Sequence, residues 1–124
     1  FQINQLFYNL IENSIKFAKS RVTPVIVITS KILKLDETAK HVNLNPKLSY
    51  CEISIRDNGI GFDQKMDGEI FLLFTRLHSS GKYPGTGIGL ALCKRIVSNH
   101  HGEISAKSKE NEGSVFKIVI PLAR

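Results

Sequence analysis

Asn9, Asn13 and Lys16 recur at intervals of four and three residues. On a helix turning about 100° per residue they share about 60° of the circumference. Side-chain amides offer oxygen to a hard cation or its waters, and an ammonium meets phosphate oxygens. Taken alone, the stripe reads more readily as a helix flank with two polar residues and a solvated lysine. A second cluster, Asp57, Asn58, Gly59, Ile60 and Gly61, follows an alternating segment directly. A carboxylate at a strand end can accept a hydrogen bond from an exocyclic amine such as that of adenine. Gly59 and Gly61 would let the backbone approach a flat ring, although the same residue types also make turns that bind nothing. In the third cluster, Gly85, Thr86, Gly87, Ile88, Gly89 and Leu90 open a helical pattern. Glycines there would aim backbone N–H groups and a helix amino terminus at an anion. No βαβ strand leads into it and the Gly-Lys-[Ser/Thr] ending of a P-loop is missing, so a capping turn explains it equally well.

The elements that must carry these clusters follow from periodicity. Ile3, Leu6, Phe7, Leu10, Ile11, Ile15 and Ala18 predict a helix over 1–20, with the polar stripe bordering its apolar face. β-Branched density predicts a strand over 25–33, and Asn43, Asn45 and Pro46 a loop over 36–47. From Tyr50 to Asp57, Cys51, Ile53 and Ile55 alternate with Glu52, Ser54 and Arg56, which predicts a second strand. A short helix is expected over 68–74, a mobile loop over 76–85 and a longer helix over 86–99, with Gly102 at its carboxyl end. Strands over 104–108 and 114–121 would close as a hairpin around 111–113. The intermixed order favours an α/β fold, a two-layer α/β sandwich with a mixed sheet covered by helices on one face.

Composition narrows the classes. The chain has 124 residues, 42% hydrophobic and 23% charged, with neither an internal repeat nor a linker, which fits one domain over 1–124. Its apolar runs are too short for a membrane span. The first residues lack the basic lead and cleavage site of a signal peptide, as in a piece cut from a longer, cytoplasmic protein. Cys51 and Cys93 form no CxxC pattern and suit a reducing compartment. The net charge of +6 comes from 17 scattered basic residues without interleaved aromatics, so nucleic acid is not the expected partner.

Taken together and in this order, the clusters resemble the histidine-kinase branch of the ATPases that also include gyrase, heat-shock chaperones and mismatch-repair proteins. The likeness covers essentially the whole chain. Residues 9–17 (Asn-Leu-Ile-Glu-Asn-Ser-Ile-Lys-Phe) resemble that family's N box, with Ser14 in place of the usual alanine. Asp57 to Gly61 and Gly85 to Leu90 are similar to its two glycine boxes, and Gly113, Ser114 and Phe116 to its last motif. Ile70, Phe71, Leu72, Leu73 and Phe74 resemble the F box, with Leu73 in place of proline. Residues 74–78 and 83–85 especially resemble kinases of the bacterial phytochrome-like type.

The resemblance implies a Bergerat-type ATP-binding fold and a set of roles. Asn13 would coordinate Mg²⁺ with Asn9 beside it, Lys16 would contact phosphate oxygens, and Phe17 would pack near the nucleotide. Asp57 would take the adenine amine, assisted by Ser114, while Gly59, Ile60 and Gly61 shape the pocket. Gly85, Thr86, Gly87, Ile88, Gly89 and Leu90 would form the hinge and phosphate cradle. Residues 76–84 would be a lid from which Arg76 reaches the γ-phosphate. The expected reaction is transfer of that phosphate to a histidine on a separate dimerisation domain that also serves a response regulator, and the fragment alone is expected to be monomeric.

In the hydrolytic relatives a glutamate four residues before the metal-binding asparagine activates water. Asn9 holds that position and cannot act as a base at neutral pH, which favours transfer over hydrolysis. Glu12 lies about 100° from Asn13 around the helix, beyond Asn9. It either helps to activate the acceptor histidine or pairs with Lys16. A silent nucleotide-binding module would retain Asp57 but lose Lys16, Arg76 or Asn13, and all three are present. None of His41, His78, His100 and His101 has the acceptor's helical His-Glu/Asp context, so the acceptor is expected outside the chain.

Overall fold

In the computed structural model, the structure describes residues 2–66, 69–71 and 89–122. The helical apolar spacing near the amino terminus forms α1 (Gln2–Lys16), which buries Leu6, Leu10 and Ser14. It ends earlier than its periodicity suggests. Phe17 N–H still donates to Asn13 O at 3.1 Å, but Arg21 already has φ 63° and turns the chain toward β1 (Ile26–Ile32).

Among the described residues four strands make one sheet in the order β1-β2-β4-β3, with β2 at Tyr50–Asp57, β3 at Glu103–Lys109 and β4 at Gly113–Pro121. All three pairings are antiparallel, where mixed strand directions were expected. β3 and β4 form a tight hairpin, and β4 pairs with the sequence-distant β2 in the opposite direction. Register sorts the side chains into rows. Ile28, Ile55, Phe116 and Ala106 stand abreast, and so do Ser30, Ile53, Ile118 and Ile104. Against these apolar rows pack Leu6 and Leu10 of α1 and Cys93, Ile96 and Val97 of α3 (Gly89–Asn99). Phe116 is 1% exposed at the centre of this core. Truncating it to alanine would cost about 3–5 kcal/mol. The next row on the same face is Ile26, Asp57, Ser114 and Ser108, so the apolar layer ends in a polar margin at one end of the sheet.

The connection read as a loop over 36–47 contains a five-residue helix, α2 (Leu35–Ala39). It is too short to show periodicity. Glu37 holds it by accepting from Lys34 N–H at 3.0 Å and from Lys31 Nζ at 2.6 Å, contacts that keep the Glu37 carboxyl below its usual range. This connection lies on the other sheet face, where Leu33, Leu44, Tyr50 and Val119 form a second small cluster. Gly102 follows α3, but the left-handed turn falls on His101, with φ 61°. Glycine is needed at 102 because a Cβ would meet the Val119 carbonyl. Of the helix expected over 68–74, residues 69–71 are described and lie in a turn.

Candidate functional site

The site grows from the polar margin. Asp57 ends β2, and both of its carboxylate oxygens have protein partners. Oδ1 accepts from Gly59 N–H at 2.9 Å, and Oδ2 accepts from the Ser14 hydroxyl at 3.1 Å across from α1. After Asp57 the chain turns beneath the end of α1, where Ile60 N–H donates to Phe17 O at 2.9 Å. Gly59 is explained by that approach, since a Cβ there would lie 2.5 Å from the Phe17 oxygen. Gly61 has φ 65° and packs against the β3–β4 hairpin, where Asn111 N–H donates to Ile60 O at 2.7 Å. The glycines read as leaving room for a flat ring therefore first admit the chain's own backbone. Asn58 pins the approach to β1, accepting from Val25 N–H at 2.9 Å and donating to Thr23 O at 3.1 Å.

Ser108, which the sequence reading passed over, is the hub of the margin. Its hydroxyl donates to Gly113 O at 2.8 Å, and its oxygen accepts from Phe62 N–H at 2.8 Å. Ser114 Oγ lies 3.1 Å from Ser108 Oγ. Because the Ser108 proton is engaged on Gly113, Ser114 is the donor of that bond. Ser114 stands beside Asp57 in register, but its hydrogen bond runs away from the carboxylate, toward β3. The available signal was alternation: Ile104, Ala106 and Ser108 share one face of β3. A shallow cavity of about 360 Å³ opens here beside Asp57, Gln64, Ser108 and Ser114. It is bounded by the hairpin and no residue of α1 lines it.

The stripe on α1 is built differently. Asn9 Oδ1 accepts from Gln5 Nε2 at 3.4 Å, while its Nδ2 is buried without a partner among the described residues. Asn13, half-buried, makes no side-chain hydrogen bond among the described residues. Lys16 has no ion pair among them either, and its ammonium sits 5.5 Å from the centre of the Phe17 ring. Phe17 thus contributes a carbonyl to the Gly59–Ile60 turn and a ring to Lys16. Glu12 makes no ion pair with Lys16 among the described residues; its carboxylate lies beside the Tyr8 hydroxyl instead and raises the Tyr8 pKa. Of the phosphate cradle, Gly89 and Leu90 are described. Gly89 begins α3, and a Cβ there would meet none of the described residues within 4 Å. Leu90 packs against the core. Arg76, Gly85, Thr86, Gly87 and Ile88 lie outside the described residues.

A sandwich with a carboxylate at its open edge, beside a helix on which Asn9 Nδ2 is buried without a hydrogen-bond partner and Lys16 without an ion pair among the described residues, is the architecture of a nucleotide-binding domain. The family described as "Histidine kinase-, DNA gyrase B-, and HSP90-like ATPase" matches residues 1–124, and the chain belongs to it. Among curated relatives it is 42% identical over 121 residues to cyanobacterial phytochrome A of Nostoc, covering 98% of this chain and 14% of that protein. It is 36% identical over 121 residues to sporulation kinase C of Bacillus subtilis, covering 98% of this chain and 24% of that protein. The chain therefore spans a quarter or less of the length of these relatives. Among solved structures it is similar to the catalytic domain of histidine kinase ThkA, with a TM-score of 0.68 and 26% identity, covering 97% of this chain and 66% of that one. The mycobacterial sensor histidine kinase MprB shares the fold, with a TM-score of 0.75 at 21% identity, covering 97% of this chain and 70% of that one. The chain is an ATP-binding catalytic domain of the histidine-kinase type. Among the described residues no helix is long and apolar enough to cross a membrane.

Proposed function

We propose that residues 1–124 form one catalytic domain that binds Mg-ATP and passes its γ-phosphate to a histidine on a separate dimerisation domain, for delivery to a response regulator in the cytoplasm. The observation that carries this reading is the division of labour on α1. Ser14 is spent on Asp57, whereas Asn9 Nδ2, Asn13 and Lys16 have no protein hydrogen-bond or ion-pair partner among the described residues. A buried unpartnered amide is costly unless a ligand completes it, and a triphosphate supplies the acceptors.

Asp57 accepts the adenine amine, with Ile60 and the Gly59 and Gly61 turns as the pocket wall. Ser114 and the Ser108 network hold the pocket's floor. Lys16 and Asn9 donate to phosphate oxygens. Asn13 offers one amide oxygen, which suits a Mg²⁺ held mainly by the nucleotide and water. When bound, that ion would offset charge on the phosphate oxygens. Arg76, in the lid over 76–84, reaches the γ-phosphate, and Gly85, Thr86, Gly87, Ile88, Gly89 and Leu90 cradle the others. The chemistry is positioning and charge stabilisation, with the nucleophilic imidazole supplied by the partner domain. Glu12, oriented by Tyr8 on the helix surface, assists that imidazole. Asn9, in place of a carboxylate, cannot itself act as a base to activate water.

The test is to mix this protein with the acceptor domain of the parent kinase, γ-labelled ATP and Mg²⁺. Label should move to the acceptor histidine, and far more slowly with Lys16→Ala. Phosphate release into water at an equal rate without the acceptor would instead mark a hydrolytic ATPase, and binding without either reaction a regulatory module.

A further inference from the structure

Asp57 sits where a flexible carboxylate could present either oxygen, or neither, to a ligand. Its plane is set by two anchors from different elements. Gly59 N–H comes from its own turn, and the Ser14 hydroxyl comes from the buried face of α1, where the residue is 3% exposed. Ser14 Oγ also lies 3.2 Å from Leu10 O, and one hydroxyl proton cannot serve both acceptors at once. The two arrangements differ in consequence. A proton on Leu10 O leaves Oδ2 unheld, whereas a proton on Oδ2 fixes that oxygen and still leaves it a second lone pair for an incoming N–H. The carboxylate is the stronger acceptor, because bonds to a charged group are about twice as strong as neutral ones.

We propose that Ser14 is a positioning residue for base recognition: its hydroxyl holds Asp57 Oδ2 in the orientation that receives a 6-amino group. This rests on the reading of Asp57 as the acceptor for the base. Ser14 touches no ligand in this account and acts only through the carboxylate. Its effect must therefore appear in the contribution of the 6-amino group and nowhere else. A serine that merely filled space or back-bonded to its own helix would affect all ligands alike.

The experiment compares two probes in the presence of Mg²⁺: a non-hydrolysable ATP analogue and its purine counterpart lacking the 6-amino group. Affinities are measured for the wild type, Ser14→Ala and Asp57→Asn, with melting curves to establish that each is folded. Alanine removes one oxygen and keeps the helix, so Ser14→Ala folds. The expected result is that Ser14→Ala binds the 6-amino probe about five- to tenfold more weakly and the 6-unsubstituted probe as the wild type does. Equal losses for both probes, or no loss for either, overturn the role of Ser14 while leaving Asp57 as acceptor, provided Asp57→Asn still discriminates against the 6-amino probe. If Asp57→Asn binds both probes like the wild type, the reading of Asp57 falls and the role of Ser14 falls with it.

Discussion

Around Asp57, Ser108 and Ser114 the protein supplies its own hydrogen bonds, whereas along Asn9, Asn13 and Lys16 it leaves polar groups without them among the described residues. Both regions are anchored to the same helix, two residues apart at Ser14 and Lys16. The difference follows from what each end must bind. A neutral base gains affinity from a rigid, preformed acceptor. A multiply charged phosphate chain is better met by groups that have not already spent their donors. The base end should therefore be coupled to folding, and the phosphate end to ligand charge.

The sharpest way to break this contrast is Gly113→Ala. Gly113 has φ 113°, and a Cβ would strike the Asp57 carbonyl. We expect a loss of about 3 kcal/mol in urea denaturation. Wild-type stability would mean that the base end is not rigid. Ser108→Ala should follow, since it leaves the N–H of Phe62, a residue only 2% exposed, without its acceptor. The expected cost is about 1–3 kcal/mol, read in the same assay. Lys16→Ala sharpens the other side. Stability should stay within about 0.5 kcal/mol, and adenosine binding should not change. Triphosphate affinity should fall about tenfold, as calorimetry would show. The last test is a control belonging to neither end. Burial pushes the Cys93 thiol from 9.0 up to about 12. The folded protein thus holds this proton more tightly than the unfolded chain does. Its contribution is fully present below pH 9.0 and is lost as pH rises through about 12. Melting temperature should drop over that window, and iodoacetamide should spare Cys93 at neutral pH while the native fold persists.

Much of this architecture is legible in the amino-acid sequence. Alternation placed β2 on Tyr50–Asp57 without error, because strong apolar residues occupy every second position and Asp57 stops the run. The hairpin strands were found to within a residue at each end, through Gly113 and the alternation after it. The helix was drawn too long because apolar spacing continues through Ala18, while the backbone turns at Arg21. α2 was missed because five residues cannot display a period. Sheet direction depends on pairings distant in sequence, which a strand's own residues do not encode. The site was legible in its residue types but not in its wiring. Asp57 and the stripe were named, yet the bonds from Ser14 to Asp57 and from Ser108 to Gly113, Phe62 and Ser114 join positions that only the fold brings together. Glu12 was weighed as a partner of Lys16, and Tyr8, one turn earlier, takes it instead.

The most direct test of the account is calorimetric titration of the wild type and Asp57→Asn with a non-hydrolysable ATP analogue, with and without Mg²⁺. Asparagine can keep both internal partners, accepting from Gly59 through its oxygen and donating to Ser14 through its nitrogen, so the fold should persist. What it loses is the second acceptor oxygen. The account predicts Mg²⁺-dependent binding by the wild type and binding about 10- to 100-fold weaker in the variant, with little change in melting temperature. Equal affinity in a folded Asp57→Asn protein would contradict it, because the base would then be recognised somewhere other than the end of β2.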